Sequence, residues 1–316
     1  MAMFRIIFAS DFHGSDAVFR KFISAGLTYR ANALIVGGDV TGKAIVPIIH
    51  KGGRWEGYLF GHKEEPETQE ELERFKQNIA KVGFYPLVLE PDEAEELEND
   101  PEKMDAIFRQ MMRERLEAWM ALAEEHLKEK GVQLYFMPGN DDDYSVDEVI
   151  AQSSFVINPD NRKVWLNEMH ELIGLSYSNI TPWHCHRDVE EDVIKAKLEE
   201  LVALLERPEM AVFNIHIPPY DSGIDICPEL DEEMRIKHAG GQVLMKPVGS
   251  HAVREIIERV QPLLSLHGHI HEAPGFRRIG RTLCVNPGSE YAEGIMRAAL
   301  INLEKGKIKG YMPISA

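Results

Sequence analysis

An α/β layered fold is predicted for this 316-residue chain by three observations. Short β-rich runs recur, each bounded by Gly, Pro or a polar cluster. Amphipathic helical patterns separate many of them. Six of the runs lead directly into clusters of Asp, His or Asn beside a Gly or Pro. Strand, helix, strand at this spacing is the pattern of a layered α/β domain. An apolar content of 44% supports a sizeable core, and 28% charged residues is ordinary for a soluble protein.

Taken in order, the first strand is FRIIFAS (4–10), followed by DFHG. A helix is expected over 16–29, where apolar residues recur at helical spacing and Ser15 or Asp16 serves as N-cap. ALIV (33–36) leads into GGDV, and LYFM (134–137) leads into PGND. AVFNI (211–215) precedes HIPP, LLSL (263–266) precedes HGHIH, and TLCV (282–285) precedes NPGS. Helical patterns fill 188–205 and 250–260. Between Asp39 and Asn140 lies a span of about a hundred residues, far more than a βαβ crossover needs. There GGRWEGYLFG and VGFYPLVLE are expected to pair as strands, and TQEELERFKQNIAKV reads as helix. Residues 101–130 form one long helix, with Asp100 as cap, Pro101 at its first position and a core-facing stripe that includes Leu116 and Trp119. The whole of 1–316 reads as a single domain. Within it 51–98 is an inserted cap over the strand-end edge, its aromatics packing mainly inside the cap.

Charge and composition exclude several classes. Net charge is −17, and residues 64–130 hold 20 Asp and Glu against 9 Lys and Arg, a balance of −11. Such a surface repels a phosphate backbone, so no nucleic-acid partner is expected. No apolar run approaches the roughly 20 residues of a membrane span, and no membrane partner is expected. The N-terminal residues lack the features of a signal peptide. The three scattered cysteines, Cys185, Cys227 and Cys284, fit a reducing cytoplasm.

The strand-end clusters supply Asp11, His13, Asp39, Asn140, His216, His269 and His271. In open α/β sheets such loops converge on one edge, so a shared site is expected. Carboxylate and amide oxygens mixed with imidazoles suit borderline divalent cations such as manganese, iron, zinc, cobalt or nickel rather than calcium or magnesium. Asp11 and His13 lie two apart on an extended segment, as do His269 and His271, so each pair projects to one side. Seven side chains exceed the needs of one tetrahedral ion, so two ions sharing a carboxylate are expected. Ions held about 3.5–4 Å apart can activate a bridging hydroxide and clamp a phosphoryl group.

The series DFHG, GGD, GND, HIPP and GHIH resembles the calcineurin-like metallophosphoesterase superfamily, in particular its phosphodiesterase-type branch with G-H-x-H. The motifs keep the family's order from Asp11 to His271, and NPGS is similar to a late family motif. The resemblance implies a four-layer αββα sandwich of two mixed β-sheets flanked by helices. It implies one ion held by Asp11, His13, Asp39 and His271. The second would be held by Asp39, Asn140, His216 and His269, with Asp39 bridging. The implied activity is hydrolysis of a small phosphodiester or nucleotide-type phosphate ester by attack of a metal-bridging hydroxide.

Most family members read Gly-Asn-His where this chain has Gly-Asn-Asp, placing Asp141 where a proton-donating His is usual. An Asp with a pKa near ~3.9 is a poor proton donor at neutral pH. His267 is the alternative catalytic donor, with His184 and His186 of TPWHCHRD as further candidates. Lys43 and His184 are candidate substrate contacts. One of Asp141, Asp142 and Asp143 is expected to cap the helix that follows, and Asp143 is assigned a structural role. Two other readings stand beside the enzyme. One is a non-catalytic scaffold on the same fold; the other is a phosphoprotein or monoester phosphatase. The oligomeric state is left open, a homodimer included.

Overall fold

A computed structural model describes residues 3–316. Two stacked sheets form its centre. The first contains β1 (Phe4–Ala9), β2 (Ala33–Val36), β7 (Gln133–Phe136), β20 (Arg297–Glu304) and β21 (Lys307–Ser315), ordered β21-β20-β1-β2-β7. β1, β2 and β7 run parallel, with Ile6 opposite Ala33 and Ala33 opposite Gln133, whereas β20 and β21 join antiparallel. The second sheet contains β8 (Lys163–Trp165), β9 (Glu171–Leu175), β12 (Val212–Ile215), β17 (Leu264–Leu266), β18 (Gly275–Ile279) and β19 (Thr282–Asn286). Its order is β18-β19-β17-β12-β9-β8, with the four inner strands parallel.

Side chains alternate across each strand, and this alternation separates the layers. Ile6 and Phe8 of β1 point between the sheets, into a core shared with Leu172, Val212, Leu264 and Val285. Ile7 and Ala9 point the other way, beneath α1 (Asp16–Thr28), α4 (Pro101–Leu127) and α5 (Ser145–Gln152). Phe213, Ile215 and Cys284 of the second sheet pack beneath α6 (Glu191–Ala203) and α7 (His251–Val260). The architecture is thus a four-layer αββα sandwich of two mixed sheets.

Local signals set the helix starts. The Ser15 hydroxyl accepts from Val18 N–H, Ser250 from Val253 N–H, and Asp100 from Lys103 N–H ahead of Pro101. Met112, Leu116, Trp119, Met120, Ala123 and Leu127 of α4 are buried, and the Trp119 ring stacks on Phe19 at 4.4 Å. The long helix ends at Leu127 and closes in a 3₁₀ turn over Lys128–Lys130, ahead of a left-handed Gly131.

The insertion differs from the sequence expectation. It forms its own sheet of β3 (Ile45–Lys51), β4 (Arg54–Leu59), β5 (His62–Glu64) and β6 (Tyr85–Leu89), ordered β5-β4-β3-β6. β4 and β6, expected to pair with each other, lie on either side of β3. Pro47 masks β3 in the sequence, because Pro argues against an inner strand. It is tolerated because β4 pairs only with Ile48–Lys51, beyond the proline. α2 (Gln69–Lys81) closes a small core of Val46, Ile48, Leu72, Phe75 and Ile79, joined by Trp55 and Phe84, and α3 (Pro91–Glu98) follows β6. Trp55 and Phe84 pack inside the insertion, whereas Tyr58 and Phe60 are exposed and Tyr85 packs against Phe108 of α4. Among the described residues no helix is long and apolar enough to cross a membrane.

Candidate metal centre

Because the inner strands of both sheets run parallel, their carboxyl ends emerge at one edge. Asp11 and His13 follow β1, Asp39 follows β2, and Asn140 follows β7. His216 follows β12, and His269 and His271 follow β17. Backbone bonds zip these loops together: Asp11 N–H donates to Gly38 O, His13 N–H to Asp39 O, and Gly268 N–H to His216 O, each at 2.9 Å. Four site residues sit in the left-handed region, Asp11 (φ 59°), His13 (φ 40°), Asp39 (φ 50°) and His269 (φ 67°). Asp and His tolerate it better than bulkier residues, yet each such turn costs on the order of 1–3 kcal/mol and clusters at functional sites. Gly139 has no substitute, since a Cβ there would overlap the Asp39 carboxylate and amide.

The seven candidate ligands meet at this edge. Asp11, His13 and His271 form one group and Asp39, His216 and His269 another, with ligand atoms within 4.8 Å of one another in each. Asp39 spans them: Oδ2 lies 3.7 Å from His13 Nε2, and Oδ1 lies 3.3 Å from His216 Nε2. His13 Nε2 approaches His271 Nε2 at 3.2 Å, and His271 lies 3.5 Å from Asp11. His269 Nδ1 faces Asn140 Oδ1 at 2.9 Å. The Asn140 amide N–H donates to Asp188 at 2.8 Å, which turns its oxygen towards the cluster.

The surroundings fit a cation. His216 is fully buried with Nδ1 bonded to Gly37 O at 2.8 Å, and its Nε2 has no hydrogen-bond partner. An imidazole fixed by one nitrogen with the other free is the arrangement of a metal ligand. Burial alone would raise the Asp11 carboxyl, but the hydrogen bond and charge of His271, with His216 and His13, hold it well below the carboxylate range. Burial would lower His216, yet the charge of Asp39, whose Oδ1 stands 3.3 Å from Nε2, pushes it up to about 9. Burial brings His269 down to about 3. Neighbouring groups driven apart in this way mark a functional cluster.

The remaining candidates divide. A cavity of about 1100 Å³ opens on this edge, lined by His13, Asp39, Asn140, His269 and His271, and also by Lys43, Asp141 and His184. Lys43 Nζ lies 3.1 Å from Asp141 Oδ2, so the two candidates form an ion pair on the cavity wall. His186 is not among the lining residues. His267 is a correction: it is fully buried away from the cavity, with Nδ1 within 3.1 Å of the Ile215 and Ile217 carbonyls. Burial lowers it to about 4, so it stays neutral and has no path to a leaving group. Asp142 is sealed inside, accepting from Val40, Thr41 and Gly139 N–H groups, and Asp143 accepts from Ser145 N–H at the start of α5.

The expected cap over this edge is also corrected, since none of residues 51–98 lines the cavity. The insertion instead supports the site from behind: Ser15 Oγ donates to Lys81 O at 2.5 Å, and Gly42 N–H donates to the Tyr85 hydroxyl at 2.8 Å. Two later segments border the cavity, 179–187 and 226–247. They are built from small ribbons, β10 (Ser178–Asn179) with β11 (Asp188–Val189), β13 (Ile226–Pro228) with β16 (Met245–Pro247), and β14 (His238–Ala239) with β15 (Gln242–Val243). Strands of two or three residues give almost no periodic signal, which is why the sequence did not mark them. Sequence reasoning also missed Asp188, which orients Asn140, and Tyr291, whose ring lies 4.6 Å from that of His13. The only hint of Tyr291 was its place just after NPGS.

Fold and site together define an αββα sandwich with a His- and Asp-rich candidate metal centre at its strand-end edge. No known family profile matches the chain. Over 160 residues, 49% of this chain, it is 33% identical to the uncharacterized protein MJ1162 of Methanocaldococcus jannaschii, and the match covers 64% of that protein. One solved structure aligns at a TM-score of 0.55, with 15% identity over 98% of both chains. TT1561 of Thermus thermophilus aligns at 0.52, also with 15% identity over 98% of both chains. At this identity the structures share the fold.

Proposed function

We propose that this chain is a metal-dependent phosphoesterase acting on a small phosphodiester. The observation that carries the reading is Asp39, which presents one oxygen to each of two His- and Asp-rich groups on the floor of a large cavity. Asp11, His13, Asp39 and His271 would hold one divalent ion, and Asp39, Asn140, His216 and His269 a second. Bound there, such ions supply Lewis-acid activation of water and offset charge on phosphoryl oxygens.

The chain's own residues do the rest. Gly37 O fixes the His216 ring and Asp188 fixes the Asn140 amide, so both present a single atom to the centre without reorganisation. Lys43, held by Asp141, places an ammonium on the wall, where it can bind a phosphate oxygen and orient the ester. Asp141 in this role is a holder of charge rather than an acid. With no strong proton donor assigned, the enzyme favours esters with good leaving groups, and aryl diesters are turned over faster than alkyl diesters.

The test is hydrolysis of a panel of mono- and diesters with manganese, iron, zinc and nickel, repeated with Asp39→Ala. Turnover is expected to fall by about 100-fold or more, together with loss of bound metal measured by elemental analysis. Undiminished turnover in the folded variant would overturn the two-ion reading.

A further inference from the structure

The cavity has two unlike ends. One is the cluster of carboxylates and imidazoles just described. The other is built by 179–187 and 226–247, and its walls include Ile180, Trp183, Leu230, Met234 and Ile236. Among the described residues seventeen large apolar or aromatic side chains are exposed, and four of them, Ile180, Trp183, Met234 and Ile236, line this end of the cavity. Trp183 is 67% exposed and Ile236 48%. Single exposed apolar side chains are ordinary, but a concentration beside a polar site marks a surface that something apolar covers.

Several polar groups at this end are engaged within the protein. Asn179 Nδ2 donates to Val248 O at 3.2 Å, the Thr181 hydroxyl donates to Asp188, and Asp231 accepts from Arg235 and Glu233 N–H. A ligand group entering here meets aliphatic and aromatic surface, with the Lys246 and His184 side chains beside it. Flexible Met, Leu and Ile side chains suit an aliphatic chain better than a base edge that needs fixed donors and acceptors. The surface is continuous with the metal end through one cavity, so one molecule can reach both.

We infer that the substrate of this site is an amphiphilic phosphate ester, with its phosphate at the metal end and an aliphatic chain along 179–187 and 226–247. This rests on the phosphoesterase reading for the phosphate and on the apolar wall for the chain. Met234 and Ile236 determine the chain preference by covering methylene groups and do not contact the reacting atoms.

The test separates binding from turnover. Methyl-, butyl- and octylphosphonate are titrated calorimetrically against the manganese-loaded full chain, below the concentration at which they form micelles. Affinity is expected to rise by about tenfold or more from methyl to octyl, since each buried methylene contributes measurably. In Met234→Asn/Ile236→Asn, two exposed positions whose replacement spares the core, the gain is lost while methylphosphonate affinity is unchanged. A flat chain-length profile in the wild type, or one that survives in the double variant, overturns the inference. Hydrolysis of p-nitrophenyl methyl phosphate in parallel tests the phosphoesterase reading separately. Its absence would remove the activity but leave a chain-length-dependent phosphonate site standing.

Discussion

Asp141 and Asp142 are adjacent carboxylates in opposite surroundings. Asp142 is fully buried and accepts hydrogen bonds from three backbone N–H groups and the Thr41 hydroxyl, so it fixes the Asp39 loop against Gly139. Asp141 stands on the cavity wall with Lys43. Replacing Asp142 with Ala strands buried donors and is expected to cost about 3 kcal/mol or more, measured by denaturant unfolding. Asp141→Ala should change stability by no more than about 0.5 kcal/mol yet raise the KM for a phosphodiester about tenfold. Equal stability losses in the two variants would refute this division. The sequence could place the candidate ligands because ligand type and strand-end position are local features. It assigned Asp143 its structural role, but it left Asp141 undecided and could not exclude His267, because the fate of each depends on which groups the tertiary fold brings to it.

At the scale of elements, the strand runs that end in ligands were legible within a residue or two, as at 33–36. Their apolar content and Gly or Pro boundaries are strong signals. β3 was hidden by Pro47, and the cavity ribbons by their shortness. The role of the insertion was misplaced because it meets the site from behind, through Lys81, Gly83 and the Tyr85 hydroxyl, rather than covering the cavity with its aromatics. Gly83 has φ 92°, and a Cβ there would overlap the His13 carbonyl. Gly83→Ala should therefore lower stability by about 1–3 kcal/mol and weaken manganese binding, read by thermal unfolding and metal titration. Glu171 of β9 tests another junction. It is buried, yet the bond to Lys163 at 2.9 Å and those from Arg207 and Glu206 N–H hold its carboxyl below the usual value. A lowered carboxyl stabilises the fold above its unfolded value, near ~4.3, and that contribution fades as pH falls through the lower folded value. Glu171→Gln is expected to be about 1–2 kcal/mol less stable than wild type at pH 7 and to converge with it under acid. A difference that is constant with pH would show that the charge contributes nothing.

For the molecule as a whole, the donors come from both sheets. The first sheet supplies Asp11, His13, Asp39 and Asn140; the second supplies His216, His269 and His271. Any ion held between them ties the two sheets together at that edge and offsets the repulsion among the carboxylates. A ligand that binds only the folded state raises stability with its concentration. Manganese at about 100 times its Kd should add about 2.7 kcal/mol, seen as a higher melting temperature that chelation reverses and Asp39→Ala abolishes. No shift in the wild type would argue against a bound cation. The layered class was legible from strand and helix order alone. The pairing of sheets was not, because sheet order rests on contacts far apart in the chain.

The sheet order also bears on how the molecule is made. β1 lies between β2, its near neighbour in sequence, and β20, which begins at Arg297. As the chain is synthesised, β1 gains one partner almost at once and waits until Arg297 has been made before the second arrives. His271 likewise emerges long after Asp11, which it faces across the cluster. The donor set is therefore completed only once His271 has been made. Half-made chains present carboxylates and an open strand edge with little to occupy either, which makes the nascent state, more than the finished protein, the one exposed to mispairing.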